Sequence, residues 1–232
     1  MKKGYKHIFF DLDHTLWDFD KNSELTLRQL HGEYELAGRG IVDFDAFYAQ
    51  YVIHNDKLWA RYRNGYIKRD ELRWKRIWLT LLDFKIGDTA LAHELSTAYL
   101  EILPTQGALI PGAIDILEHC KDKYVLHLIT NGFETTQLLK LQYSGISPYF
   151  QEVVTSEKSN SIKPQREIFD YALKAAGALS EHSLMIGDAL DIDVLGAFNA
   201  GWDQVYFNPH KTAHDRTPTH EVHHLKDLME IL

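Results

Sequence analysis

His7-Ile8-Phe9-Phe10-Asp11-Leu12-Asp13-His14-Thr15-Leu16-Trp17 decides how the rest of the chain reads. Ile8, Phe9 and Phe10 form a short apolar run of the kind found in a strand buried on both faces. The run stops on Asp11, and a second carboxylate follows at Asp13. A central strand of a parallel sheet delivers its last residue to the crevice at the carboxyl edge, where ligands bind. Two acids there are unfavourable unless a cation or hydrogen-bond donors compensate them. Asp-x-Asp is read in two ways: a polar turn capping the next helix, or a magnesium site carrying a nucleophilic carboxylate.

Outward from this stretch the chain changes character twice. From about Lys21 to Leu103 the periodicity is helical. Leu27, Leu30 and Tyr34 mark a first helix, stopped by Gly38 and Gly40. Phe44, Phe47, Tyr48 and Tyr51 mark a second, entered through Asp43 as N-cap and broken at Asn64-Gly65. Leu72, Ile77 and Leu81 belong to a third, and Leu91, Leu95 and Leu100 to a fourth.

Alternation begins after that. A helix opened by Pro111-Gly112 precedes a strand from Tyr124 to Ile129 that ends on Thr130-Asn131-Gly132. A helix from Glu134 to Tyr143, a strand from Glu152 to Thr155, and a helix opened by Lys163-Pro164 follow. A strand from Ser183 to Ile186 ends on Gly187-Asp188 and leads to a helix through Ala200, a strand from Gln204 to Phe207, a polar loop and a short terminal helix. Strands alternating with helices predict an α/β fold with a doubly wound parallel sheet. The first strand then belongs with strands more than a hundred residues later. The expected organisation is a core domain over 1–17 and 106–232, interrupted by a helical cap over 18–105.

In such a sheet Asp11, Asp13, Thr130, Lys163 and Asp188 gather at one edge. A hard divalent ion takes oxygen ligands, which Asp11 and Asp188 supply. Lys163 and the Thr130 hydroxyl bring positive charge and a donor suited to a transferring phosphoryl group. Lys163 is also expected at a helix start, where free amides favour an anion. Taken singly, Thr130 reads as a cap and Lys163 as a surface charge, while Asp188, Asp191 and Asp193 read as helix N-terminal decoration. Their order at successive strand ends is what singles them out.

The bulk numbers set the frame. The chain has 232 residues, 45% hydrophobic and 25% charged, with a net charge of -8, which does not favour nucleic acid or an anionic membrane. The single cysteine, Cys120, excludes an internal disulfide and fits a reducing cytosol. The basic start Met-Lys-Lys-Gly-Tyr-Lys is not followed by the apolar region of a signal peptide, and no run is long enough for a membrane span. The expected location is cytoplasmic.

Asp11-Leu12-Asp13-His14-Thr15, Thr130-Asn131-Gly132, Lys163-Pro164 and Gly187-Asp188 with Asp193 resemble, in order, the four motifs of the haloacid dehalogenase-like hydrolases. The resemblance covers the whole chain and is to the subfamily whose helical cap follows the first strand. Asp13-His14-Thr15-Leu16-Trp17-Asp18-Phe19 is most similar to the house-cleaning 5′-nucleotidases of bacteria, with His14 where many relatives have glycine.

The resemblance implies a Rossmann-like core and a reaction in which Asp11 attacks phosphorus and Asp13 serves as general acid, then base. It further implies Mg2+ held by Asp11, the Asp13 backbone carbonyl and Asp188. Thr130 and Lys163 would clamp phosphate, helped by Asn131 and the Leu12 backbone. Asp193, rather than Asp191, would orient Lys163 or the waters of the metal.

The substrate implied is a small phosphomonoester, a nucleoside 5′-monophosphate in the first place. A phosphatase or phosphomutase of sugar phosphates is the alternative. A haloacid dehalogenase needs no second acid and no metal. A phospho-accepting receiver module lacks a large insertion after its first strand, and a catalytically silent binding protein has no use for the full set of acids.

Substrate choice falls to the cap and the hinge. Trp17 and Phe19 are candidate substrate contacts. Between Trp59 and Trp78 stand five aromatics (Trp59, Tyr62, Tyr66, Trp74, Trp78) and seven basic residues against two acids. This is either a wall that stacks a nucleobase or ordinary packing with arginines reaching outward. His210, His214, His220, His223 and His224 are expected in a solvated loop, without the fixed geometry of a metal site.

Overall fold

The computed structural model describes residues 4–232; the first residues of the basic start lie outside the described part. Contacts divide the chain into two compact units. One runs to Phe19 and resumes over Gly107–Leu232, and the other is Asp20–Gln106.

The first unit is built on six strands: β1 (His7–Phe10), β2 (Val125–Thr130), β3 (Glu152–Thr155), β4 (Ser183–Gly187), β5 (Asp203–Phe207) and β6 (His220–Val222). Their order in the sheet is β3-β2-β1-β4-β5-β6, and every pairing is parallel. The sequence-distant partners of β1 are therefore its immediate neighbours. Phe10 pairs with Leu128 on one side and Ile186 on the other. Chain order reverses at β1, so the crevice beside its carboxyl end is the place this topology reserves for a ligand. Ile8, Phe9, Phe10, Leu128, Ile129 and Met185 are wholly buried, as strands covered on both faces must be.

Helices of the same unit connect the strands: α5 (Ala113–Cys120), α6 (Glu134–Tyr143), α7 (Ser156–Ser159), α8 (Arg166–Ala176), and a π-helical turn (Leu190–Val194) running into α9 (Leu195–Asn199). Three expectations need correction here. The helix after Lys163-Pro164 begins only at Arg166, so Lys163 does not sit at a helix N-terminus. The short helix α7 was not foreseen; its one polar turn, Ser-Glu-Lys-Ser, carries no apolar period and is held by Thr155 accepting from the Lys158 amide. The histidine-rich tail is not simply a solvated loop. His220 lies on the edge strand β6, the His223 ring bonds the Asn208 carbonyl (2.8 Å), and His214 meets Glu221 (3.2 Å). Three residues of edge strand are too few for a readable alternation.

The second unit is all helical: most of α1 (Phe19–Glu33), then α2 (Phe44–Arg63), α3 (Arg69–Asp83) and α4 (Thr89–Ile102). Its apolar stripes meet as their spacing predicts, with Leu27, Leu30, Phe47, Leu72, Ile77, Leu81, Leu91 and Leu95 all buried. Asp43 caps α2 by accepting from the Ala46 amide (3.0 Å). Arg76 in the aromatic and basic stretch departs from outward-reaching arginines. Arg76 is buried, donates to Asn55 (3.0 Å), and lies over the Tyr99 ring. Trp74 stacks on His93 and neighbours Trp78, so part of this stretch packs the helices themselves.

His127 makes stability depend on pH. His127 lies on β2 with no exposed surface, its ring stacked on Phe9 and its Nε2 3.1 Å from Nδ1 of His7. Burial and the neighbouring His7 push its pKa down to about 4. The unfolded chain takes up this proton near pH 6.5 and the folded chain only near 4, so within that window acid favours the unfolded state. Between pH 7 and pH 5 the wild type should lose about 2 kcal/mol more stability than His127→Gln. Denaturant melts of both proteins at the two pH values measure the difference, and equal losses would refute it.

Candidate active site

Asp11 leaves the sheet at the end of β1 with its amide still bonded to the Ile186 carbonyl (2.9 Å). The loop that follows is folded onto itself. The Leu12 carbonyl accepts from the Leu16 and Trp17 amides (2.9 and 2.8 Å), and His14 adopts a left-handed conformation (φ 65°). Asp11 and Asp13 are thereby displayed from a tight turn rather than from a mobile segment.

Lys163 brings its ammonium to Asp11 Oδ1 (2.5 Å), the Ile129 carbonyl (2.7 Å) and Asp193 (2.7 Å), and is only 2% exposed. It donates to the first two and forms an ion pair with the third. Asn131 holds the backbone of that lysine from both sides: Nδ2 donates to the Lys163 carbonyl (3.0 Å) and Oδ1 accepts from the Lys163 amide (2.7 Å). The side chain of Asn131 is therefore committed to placing Lys163. Thr130, at the end of β2, accepts from the Gly132 amide and from Gln137.

Asp188 follows β4, and Thr15 reaches it twice. The Thr15 hydroxyl donates to Asp188 Oδ1 (2.9 Å) and accepts from the Asp188 amide (3.1 Å). Asp193 is 1% exposed and accepts from the Ala189 amide as well as pairing with Lys163. A Cβ on Gly187 would collide with the Asp193 carboxylate, so this approach depends on glycine. Asp191 is placed outside this cluster.

Asp11, Asp188 and Asp193 each bring a carboxylate oxygen within 4.8 Å of the others. Burial, opposed by Lys163 and reinforced by Asp193 and Asp188, drives the pKa of Asp11 well above the usual carboxylate range. Burial and the Asp193 charge push Asp188 up to about 7. Three crowded acids served by one lysine hold more negative charge than the protein itself balances. That is the donor set and charge imbalance a hard divalent cation would satisfy.

Asp13 is in the opposite condition. Burial would raise its pKa, but the Lys140 ammonium and the Gln137 amide hold it below the usual range. Neither residue was anticipated from the sequence, and nor was Thr15. On α6, Gln137, Lys140 and Leu141 share a buried face while Leu138 is 46% exposed. A helix that buries a lysine and exposes a leucine inverts the ordinary pattern.

Trp17 is wholly buried and packs beside the Lys140 ammonium and Phe19. Phe19 is only half buried and contacts His14.

A sequence profile of the haloacid dehalogenase-like hydrolases matches residues 5–201. The pyrimidine 5′-nucleotidase PynA of Streptococcus pneumoniae is 35% identical, over 98% of this chain and 95% of that protein. The pyrimidine 5′-nucleotidase YjjG of Escherichia coli is 31% identical, over 97% and 96%. A crystal structure of the HAD-hydrolase YfnB from Bacillus subtilis, bound to magnesium, is 32% identical, covers 99% of each chain and superposes with a TM-score of 0.88. Family match, full-length relatives and the shared fold agree with the motif order at the sheet edge: the chain belongs to the haloacid dehalogenase-like hydrolases.

Proposed function

We propose that the protein is a cytoplasmic, magnesium-dependent phosphatase of small phosphomonoesters, with nucleoside 5′-monophosphates as its substrates. The observation that carries this reading is the placement of Asp11. It is a buried carboxylate at the end of the central strand, paired with Lys163, beside Asp188 and two residues from a second acid. Similarity over nearly the whole chain to two pyrimidine 5′-nucleotidases supports the substrate class.

In the first step an Asp11 oxygen attacks phosphorus and the bond from phosphorus to the ester oxygen breaks. The ester oxygen takes the bonding pair and a proton from Asp13, which took that proton from solvent as the phosphate dianion arrived beside it, and leaves as the alcohol. In the second step water attacks the aspartyl-phosphate and gives its proton to Asp13. The bond from phosphorus to Asp11 breaks, and the carboxylate is restored. Lys163, Thr130, and the backbone of Leu12 and Asn131 bind the phosphate oxygens, and Asp193 fixes Lys163. Asp11, Asp188 and the Asp13 carbonyl would hold Mg2+, which supplies charge neutralisation and alignment of the phosphate. The core over 1–17 and 106–232 carries this chemistry, and the cap over 18–105 together with Phe19 selects the ester.

Phosphate release from a panel of nucleoside monophosphates and sugar phosphates, with magnesium and with chelator, tests the reading. Chelator-sensitive release should be greatest on nucleotides. Release greatest on sugar phosphates would keep the phosphatase and refute the nucleotide preference.

A further inference from the structure

Asp13 does not stand alone beside Asp11. The Lys140 ammonium lies 2.5 Å from its Oδ1, and the Gln137 amide nitrogen lies 2.9 Å from its Oδ2. Each carboxylate oxygen therefore has its own donor. The same Gln137 nitrogen donates to the Thr130 hydroxyl (2.6 Å), so one amide joins the second acid to the hydroxyl at the end of β2.

Gln137 is 1% and Lys140 3% exposed, and burying such groups is unfavourable unless they are matched. A filler beside Trp17 would be apolar. These two side chains, one helical turn apart on α6, instead converge on one carboxylate. Gly132 leaves room for the first of them: a Cβ there would run into the Gln137 amide. The Lys140 ammonium also lies 4.2 Å from the centre of the Trp17 ring, which gives it an aromatic face.

We propose that Gln137 and Lys140 are positioning residues, a cradle that fixes the Asp13 carboxylate in the one orientation from which it exchanges protons with the leaving alcohol and with water. Through Gln137 that orientation is tied to Thr130, so proton transfer and phosphate binding are set by a common part. The inference rests on the phosphatase reading above. Neither residue touches the reacting phosphorus; both act through Asp13.

Leaving-group dependence separates positioning from mere support of the fold. The p-nitrophenolate ion leaves with little help from a proton, whereas the alcohol of uridine 5′-monophosphate needs one. Lys140→Met, Lys140→Arg and Gln137→Met would be compared with wild type in rapid-mixing and steady-state kinetics with magnesium. In Lys140→Met the burst of p-nitrophenolate should stay within about threefold of wild type, while steady-state turnover, which needs Asp13 as base, falls about 100-fold. With uridine 5′-monophosphate the phosphorylation step itself should fall about 100-fold, with KM within about threefold.

Lys140→Arg should recover part of the loss. Gln137→Met leaves no unpaired charge and should repeat the pattern more weakly, so it carries the test if Lys140→Met does not fold. Burst and turnover falling together on both esters, or a raised KM with unchanged kcat, would overturn the cradle. Wild type inactive on both esters would instead overturn the phosphatase reading and the inference with it. Active wild type with unaltered variants would overturn the cradle alone.

Discussion

Asp11→Asn is expected to abolish turnover, by on the order of 10^4-fold or more, and to leave the protein folded with an undiminished melting temperature. The two halves of this expectation have one cause. Asp11 is buried, and its charge, though drawn to Lys163, is repelled by Asp193 and Asp188, so the carboxylate proposed as nucleophile is a burden on the fold. An amide of the same shape removes the repulsion. Lys163 keeps Asp193 and the Ile129 carbonyl, both at 2.7 Å, so it is not left as an unpaired buried cation. Steady-state rates and thermal melts in chelator measure both halves. Activity within about tenfold of wild type would mean that the nucleophile lies elsewhere.

Magnesium added to chelator-treated protein is expected to raise the melting temperature, and more strongly at pH 8 than at pH 6. Asp188 has its pKa raised to about 7 by burial and the Asp193 charge. Without a cation the folded state holds this proton more tightly than the unfolded state. Its contribution to stability is therefore present at low pH and is lost as the pH climbs towards 7. Bound magnesium reverses the balance by favouring the ionised form, and below pH 7 it must displace the proton, at about 1.4 kcal/mol for each pH unit. Asp188→Asn should remove most of the shift and its pH dependence. A shift of the same size at both pH values, or none at all, would argue against the acidic cluster as the cation site.

Much of the sheet was legible because burial on both faces leaves an unmistakable mark. Ile8 to Phe10 is an apolar run, Val125 to Ile129 is one interrupted only by His127, both end on polar residues, and a parallel sheet forces such ends to one edge. Asp11, Thr130 and Asp188 could be placed for that reason. What escaped has a different physical character. β6 is three residues at an edge with a single buried side chain, Val222, so it carries almost no periodic signal. Lys163 was recognised, but the free start of α8 begins at Arg166, and what Lys163 meets is two buried carboxylates.

Gln137 and Lys140 were missed because a lysine or glutamine in a helix normally belongs to the solvated face. Here their burial is stabilised by Asp13, 124 residues away from Gln137 in the chain. Local patterns cannot report a partner at that distance. Trp17 is the converse case: a large aromatic beside Asp11 and Asp13, singled out from the sequence as a substrate contact, is wholly buried and packs beside the Lys140 ammonium.

The most direct measurement is the covalent state of Asp11 during turnover. Wild-type protein would be mixed with magnesium and uridine 5′-monophosphate, quenched in acid within one turnover, digested, and its peptides weighed. A phosphoryl group on the peptide that bears Asp11, absent from Asp11→Asn, is the expected result. Brisk phosphate release with no phosphoryl group on that peptide, or with one on another residue, would contradict Asp11 as the nucleophile.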